Sequence, residues 1–238
     1  MISILPKGFI REKPEIIPVT KSILTKAYRY AEINRIRGKI LNDLREKNHN
    51  AIMVTSPHDG AGNTFFVSAF GYNVASFIKV KVLLMDLNMR RPELHFPFDL
   101  KRNEGFTEVV NGEKSWREVI KDTDNSKLKI MTAGRLDMNM YMSLDHGFLD
   151  SLILGIKKDF DLILIDTSPV LARNRNNVDP VLLSRLCDMT LMVAQDKKTG
   201  RYRLKKAASS ITNGGGRVDG IIYNQQYSKL FFAQKEKR

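Results

Sequence analysis

The chain has 238 residues, 42% hydrophobic and 27% charged, the composition of a globular protein with a sizeable core. This excludes a disordered chain, a collagen-like repeat and a disulfide-stapled miniprotein. Cys187 is the only cysteine, so no internal disulfide can form and a reducing compartment is expected. No run reaches the roughly 18 apolar residues of a membrane span. The start, Met1 to Leu5, meets Pro6 and Lys7 at once, without a signal-peptide core. A cytoplasmic protein is expected.

The net charge of +13 is unevenly placed. Residues 1–50 carry 11 Lys/Arg against 5 Asp/Glu, residues 191–238 carry 11 against 3, and residues 51–190 carry 17 against 18. A neutral body with two basic ends is unlike the broad stripe of a nucleic-acid binder, so nucleic acid is not the expected partner. The pattern fits an anionic contact near the termini, such as a lipid surface, an acidic partner or RNA, and equally a merely solvated exterior.

In chain order, Pro6, Pro14 and Pro18 among charges make residues 1–19 an extended arm. From Thr20 to about Lys47, apolar residues recur at helical spacing (Leu24, Ala27, Tyr28, Ala31, then Ile33, Ile36, Ile40 and Leu44), predicting one long helix over 20–50. Strands are then expected at Ala51–Thr55, Val80–Met85, Leu128–Thr132, Leu162–Ile165, Thr190–Ala194 and Gly220–Tyr223. Helices are expected between them at Thr64–Phe77, Phe106–Val110, Trp116–Ile120, Phe148–Lys157, Val178–Leu186 and Arg201–Thr212. Continuous apolar runs imply strands buried on both faces, hence an α/β fold with a mainly parallel sheet covered by helices on both sides. The expected division is an arm (1–19), a helical extension (20–50), one α/β domain (51–228) and a basic tail (229–238).

Ligands of such sheets bind beyond the carboxyl ends of the strands. After the first strand, Thr55-Ser-Pro-His-Asp-Gly-Ala-Gly-Asn-Thr64 opens directly into a helix. Gly60, Ala61 and Gly62 suit a backbone nest for phosphate, and Thr64 stands where a P-loop hydroxyl would meet Mg²⁺. Yet Pro57 occupies the first glycine position and Asn63 the place of the phosphate-binding Lys. The second strand ends on Asp86, followed by Leu-Asn88-Met-Arg-Arg-Pro92, and the fourth on Asp166. Each carboxylate leaves a buried strand where it could hold Mg²⁺ or its waters.

These segments, in this order, resemble the bacterial tyrosine autokinases of capsule and exopolysaccharide gene clusters, within the deviant P-loop ATPases that include the chromosome- and septum-partitioning proteins. Leu83–His95 (LLMDLNMRRPELH) is similar to the family's Walker A′ segment and Phe160–Leu171 (FDLILIDTSPVL) to its Walker B segment. Gly105–Gly112 (GFTEVVNG), Ile130–Gly134 (IMTAG) and Val218–Asn224 (VDGIIYN) resemble its intervening signatures and last core strand. The likeness runs from about Lys26 to Tyr227. It implies a P-loop fold, ATP and Mg²⁺ as cofactors, and a membrane protein of polysaccharide chain-length control or export as partner, with a homo-oligomer compatible. Carried onto this chain, Asp86, Asn88 and Asp166 take the catalytic positions. Gly60 to Thr64 take the nucleotide positions, and Thr64, Asp86 and Asp166 the metal positions.

The departures gather on catalysis. Besides Asn63, the second acid of the A′ segment is Asn88. The family's Glu-x-x-Arg-x-x-Arg oligomerisation motif is matched only by Lys26-Ala-Tyr-Arg29-Tyr-Ala-Glu32 or by Glu32-Ile-Asn-Arg35, which runs on to Gly38. Its C-terminal tyrosine cluster shrinks to Tyr223, expected buried, and Tyr227, with Phe231 and Phe232 beyond. Asn63 can donate neutral hydrogen bonds but cannot neutralise phosphate. The expectation is therefore a catalytically impaired or inactive relative that acts as a cytoplasmic scaffold or regulator, peripheral at the inner face of the plasma membrane. An active autokinase is the alternative, and a loop that binds no nucleotide is compatible with the first reading. His58 is expected in an exposed loop, His95 in a turn, Trp116 against a small helix, and Met138–Met142 as packing.

Overall fold

The computed structural model describes residues 19–27, 29, 31–135, 146–172 and 178–225. The expected arm and basic tail, Tyr227, Phe231, Phe232 and the Met138–Met142 stretch lie outside the described residues, as does the side chain of Lys26. In order come α1 (Lys21–Ala27), α2 (Ala31–Glu46), β1 (Ala51–Thr55), α3 (Asn63–Phe77), β2 (Val82–Leu87), α4 (Phe106–Val110), β3 (Ile120–Asp122) and β4 (Leu128–Met131). They are followed by α5 (His146–Lys157), β5 (Leu162–Thr167), α6 (Pro180–Leu186), β6 (Met189–Gln195), α7 (Arg201–Asn213) and β7 (Gly220–Asn224). The strands form one sheet in the order β3-β4-β2-β5-β1-β6-β7. All neighbours are parallel except β3 and β4.

Every residue of β1, β2, β5 and β6 is buried, which is why these segments read as unbroken apolar runs. Alternation within them feeds two cores. Ile52, Val54, Leu84 and Leu164 join α2 and α3 on one face, while Ala51, Met53, Met85 and Ile165 join α4 to α7 on the other. Each fully buried aliphatic side chain contributes about 1.5–3 kcal/mol, so the central strands dominate stability. Gly71 lets α3 lie close on the sheet, since a Cβ there would meet Leu84 Cδ2 at 2.5 Å.

Two expectations change. The N-terminal helix is two helices, α1 and α2, and Ile33, Ile40 and Leu44 of α2 enter the sheet's own core. Segment 116–120 is a turn leading into β3 rather than a helix. Trp116 sits half-buried there, its ring 4.1 Å from the Arg117 guanidinium, with its indole beside Gly155 of α5. α2 is also joined to α3 by polar contacts. Arg37 donates to Asn73 Oδ1 at 2.6 Å and to Asn34 Oδ1 at 3.0 Å, and Asn73 Nδ2 donates to Asn34 Oδ1 at 3.0 Å. The face of α2 that carries Glu32, Arg35 and Gly38 is exposed.

Candidate nucleotide-binding site

The strand order places the carboxyl ends of β2, β5 and β1 side by side, and the candidate residues meet there. The loop from β1 to α3 turns through Gly60 at φ 75° and Gly62 at φ 106°. This left-handed backbone aims successive N–H groups into one concavity. Gly62 caps α3 without a side-chain cap, so the first N–H groups of a 15-residue helix remain available to an anion.

Asn63 is buried, 8% exposed. Its Nδ2 donates to the Thr167 carbonyl at 3.2 Å, and its Oδ1 has no hydrogen-bond partner. The carboxamide standing in place of the phosphate-binding Lys thus ties the start of α3 to the end of β5. One residue on, Thr64 Oγ1 donates to Asp166 Oδ2 at 2.6 Å, and Asp166 Oδ1 is buried with no partner.

Asp86 and Asp166 lie opposite each other in the β2–β5 register. Burial raises both carboxyls. Asp86 is pushed up to about 7 against the pull of the Leu94 and Asn88 N–H groups, and Asp166 is raised further by facing Asp86. Both oxygens of Asp86 accept backbone hydrogen bonds, from Asn88 N at 3.2 Å and Leu94 N at 3.0 Å. Asp86 therefore also shapes the segment after β2. Asn88 continues that turn by accepting from Arg91 N at 3.2 Å.

The oxygen donors Thr64 Oγ1, Asp166 Oδ1 and Asp86 are hard ligands of the kind Mg²⁺ takes, and the open Asp166 oxygen faces no competitor for that role. The glycine nest fits phosphate oxygens. The neutral Asn63 does not fit the charge of a triphosphate. The residues thus fit the metal and the phosphate backbone, and fall short at the charge.

Several contacts escaped the sequence reading. Asn224, at the end of β7, donates to the Ala61 carbonyl at 2.9 Å, and its Nδ2 lies 2.4 Å from where a Gly62 Cβ would stand. Arg90 forms a 3.2 Å salt bridge to Asp59 inside the loop. His58 is half-buried rather than exposed. Its Nδ1 lies 2.9 Å from the Asp59 carbonyl, which only accepts, so Nδ1 carries a proton there, and Nε2 is hydrogen-bonded with Thr199 Oγ1 at 2.7 Å. That hydroxyl oxygen in turn accepts from Gln195 N. A cleft of about 290 Å³ beside the loop is lined by Pro57, His58, Asp59, Leu171, Ala172 and Arg203. His95 does sit in a turn, with its carbonyl accepting from Phe98 N and Leu100 N and its ring 4.0 Å from Phe96. Tyr223 lies on β7 as expected but is 58% exposed, because β7 is an edge strand and its hydroxyl reaches Asp196.

A mainly parallel sheet with a glycine loop after β1, a hydroxyl at the helix start and acids at two adjacent strand ends defines a P-loop NTPase-like protein with an altered loop. A family model described as cellulose biosynthesis protein BcsQ matches residues 50–213, and the chain belongs to that family. It is also 27% identical over 215 residues to the tyrosine-protein kinase ptk of Acinetobacter johnsonii, covering 90% of this chain but only 29% of that protein. To the putative tyrosine-protein kinase CapB of Staphylococcus aureus it is 26% identical over 220 residues, covering 91% of this chain and 88% of CapB. In fold it matches the kinase domain of the Escherichia coli tyrosine kinase ETK with a TM-score of 0.75 and 23% identity, over 81% of this chain and 73% of that one.

Proposed function

We propose that this protein is a catalytically impaired relative of the polysaccharide tyrosine autokinases. In this reading it acts from the cytoplasm, at the inner face of the plasma membrane, as a scaffold or regulator of a membrane protein of chain-length control or polysaccharide export. The domain division proposed for it is a helical extension at 20–50 and an α/β domain at 51–228, flanked by an arm and a basic tail. One observation carries the reading: the buried Asn63 carboxamide, hydrogen-bonded to Thr167 O, replaces the cation that phosphoryl transfer needs. Transfer rests on positioning and on stabilising phosphate charge, so a neutral group there weakens both binding and the transition state.

Nucleotide binding itself is compatible with the loop. ATP would lie with its phosphates on the Gly60–Thr64 backbone, and Thr64 and Asp166, with Asp86, would hold Mg²⁺. Bound Mg²⁺ would neutralise part of the phosphate charge. Asn88, already engaged as a turn acceptor, is a poor base.

The retained Thr64–Asp166 pair and the Arg90 guanidinium beside the loop favour a second reading, an active autokinase of capsular polysaccharide biosynthesis. Incubation with labelled Mg·ATP and phosphotyrosine mass spectrometry separate the two. The expected result is no phosphate on tyrosine; stoichiometric phosphate on Tyr227 or another tyrosine overturns the first reading and supports the second.

A further inference from the structure

The turn after β6 and the first two turns of α7 are the most cationic part of the described surface. Lys197, Lys198, Arg201, Arg203, Lys205 and Lys206 are all exposed, and no acidic residue occurs from 197 to 218. None of the six makes a salt bridge among the described residues. Lys197 holds a left-handed φ of 59° in a tight turn, in which Lys198 N and Thr199 N both donate to the Gln195 carbonyl. The two lysines therefore project from a fixed corner instead of a loose loop. Asp196, next to Lys197 in the chain, is engaged with the Tyr223 hydroxyl, and Asp59, which lines a cleft with Arg203, with Arg90.

In the midst of these charges stands Tyr202, 77% exposed, on the side of α7 opposite the buried Ala207 and Ile211. The edge strand β7 meets the same turn, since Asp196 N donates to the Asn224 carbonyl, and on β7 Ile221 (54%) and Tyr223 (58%) are also uncovered. Aromatic rings and aliphatic groups among lysines and arginines suit a bilayer interface. The rings settle at headgroup level and the long cationic stems reach the phosphates.

We infer that the beginning of α7, with the outer face of β7, is a docking surface for an anionic lipid membrane. Charge complementarity argues for an anionic partner, and the uncovered tyrosines and Ile221 argue for one with an apolar interior rather than a wholly solvated polyanion. No described helix is long and apolar enough to cross a membrane. The inference deepens the peripheral-membrane part of the proposed function and fails separately from its catalytic part, because vesicle binding does not read phosphotransfer.

The test is co-sedimentation of the full chain with phosphatidylcholine vesicles and with vesicles containing phosphatidylglycerol, at low and high salt. A single-stranded oligoribonucleotide serves as the polyanion control. Binding is expected to the anionic vesicles only, and to be lost at high salt. Lys205→Gln with Lys206→Gln is expected to lower partitioning about 25-fold, taking about 1 kcal/mol per cation, and Tyr202→Ser severalfold. Arg35→Gln with Lys39→Gln, the same charge loss on α2 across the sheet, is expected to leave binding unchanged. Equal loss in both pairs, equal binding to neutral vesicles, no binding to either, or tighter binding to the oligoribonucleotide would each overturn the inference.

Discussion

Asn63→Lys tests the reading of the loop most directly. The substitution replaces the carboxamide that donates to Thr167 O at 3.2 Å with a longer side chain ending in an ammonium, and it removes Oδ1, a buried acceptor without a partner. Losing one neutral hydrogen bond costs about 1 kcal/mol, while relieving an unsatisfied buried acceptor returns about 1–3 kcal/mol. The new ammonium can donate to the Thr167 carbonyl but loses its hydration at this buried position, so the free protein is expected to fold with lower stability than the parent. With nucleotide present, the ammonium would meet phosphate oxygens on a nest already formed by Gly60 and Gly62. A charge-assisted hydrogen bond contributes about 1.5–3 kcal/mol, which is roughly a 10- to 150-fold gain in affinity for Mg·ATP. Isothermal titration of Mg·ATP and Mg·ADP into both proteins measures it, with urea unfolding as the control for the fold. A folded variant with unchanged affinity refutes the argument. It would mean that the Asp59–Arg90 bridge, not the missing charge, sets the loop's capacity.

Three further expectations follow from the same geometry. Gly62→Ala forces a side chain onto φ 106° and against Asn224 Nδ2, and should cost about 1–3 kcal/mol in urea unfolding; a neutral result would show that the loop relaxes freely. Thr64→Val removes the only hydrogen bond to Asp166 among those described for its side chain. It should lower stability by about 1–2 kcal/mol and abolish any rise in melting temperature on adding Mg²⁺, as read by thermal denaturation. Asp188→Ala strips the acceptor from Asn50 N, Ala51 N and Lys157 Nζ, costing about 3 kcal/mol. Burial pushes the Asp188 carboxyl up, yet the Lys157 ammonium and the two N–H groups hold it below the ordinary carboxylate value. Its contribution is therefore complete above the unfolded value and lost as pH falls through the folded one. Unfolding curves of the parent and Asp188→Ala should converge in acid, and a constant gap down to low pH would refute the assignment.

The sheet was legible where strands are buried on both faces, because β1, β2, β5 and β6 leave no polar position to interrupt an apolar run. β3 was not, since Ile120-Lys121-Asp122 is three residues long, two of them charged, and pairs antiparallel at an edge. The break between α1 and α2 carries neither Gly nor Pro, and helical spacing alone reads straight through it. At the site, Gly60 to Thr64, Asp86 and Asp166 could be found because each stands at a strand exit within a local pattern. Asn224 and Thr199 could not, because they reach the loop from 163 and 141 residues away. Tyr223 misled because an apolar strand was taken to be an inner one; only the strand order shows that it lies at the rim.

The Asn34–Arg37–Asn73 triad gives the molecule a handle. Asn73 lies ten residues along α3 from Asn63, about 15 Å on a straight helical rod, and that rod begins at the glycine loop. α2 grips its far third through Arg37 and turns Glu32, Arg35 and Gly38 outward. A protein that grasps this outward face holds one end of a lever whose other end is the loop. The same rod thus joins the outward face of α2 to the glycine loop through one hydrogen-bonded triad and a shared core.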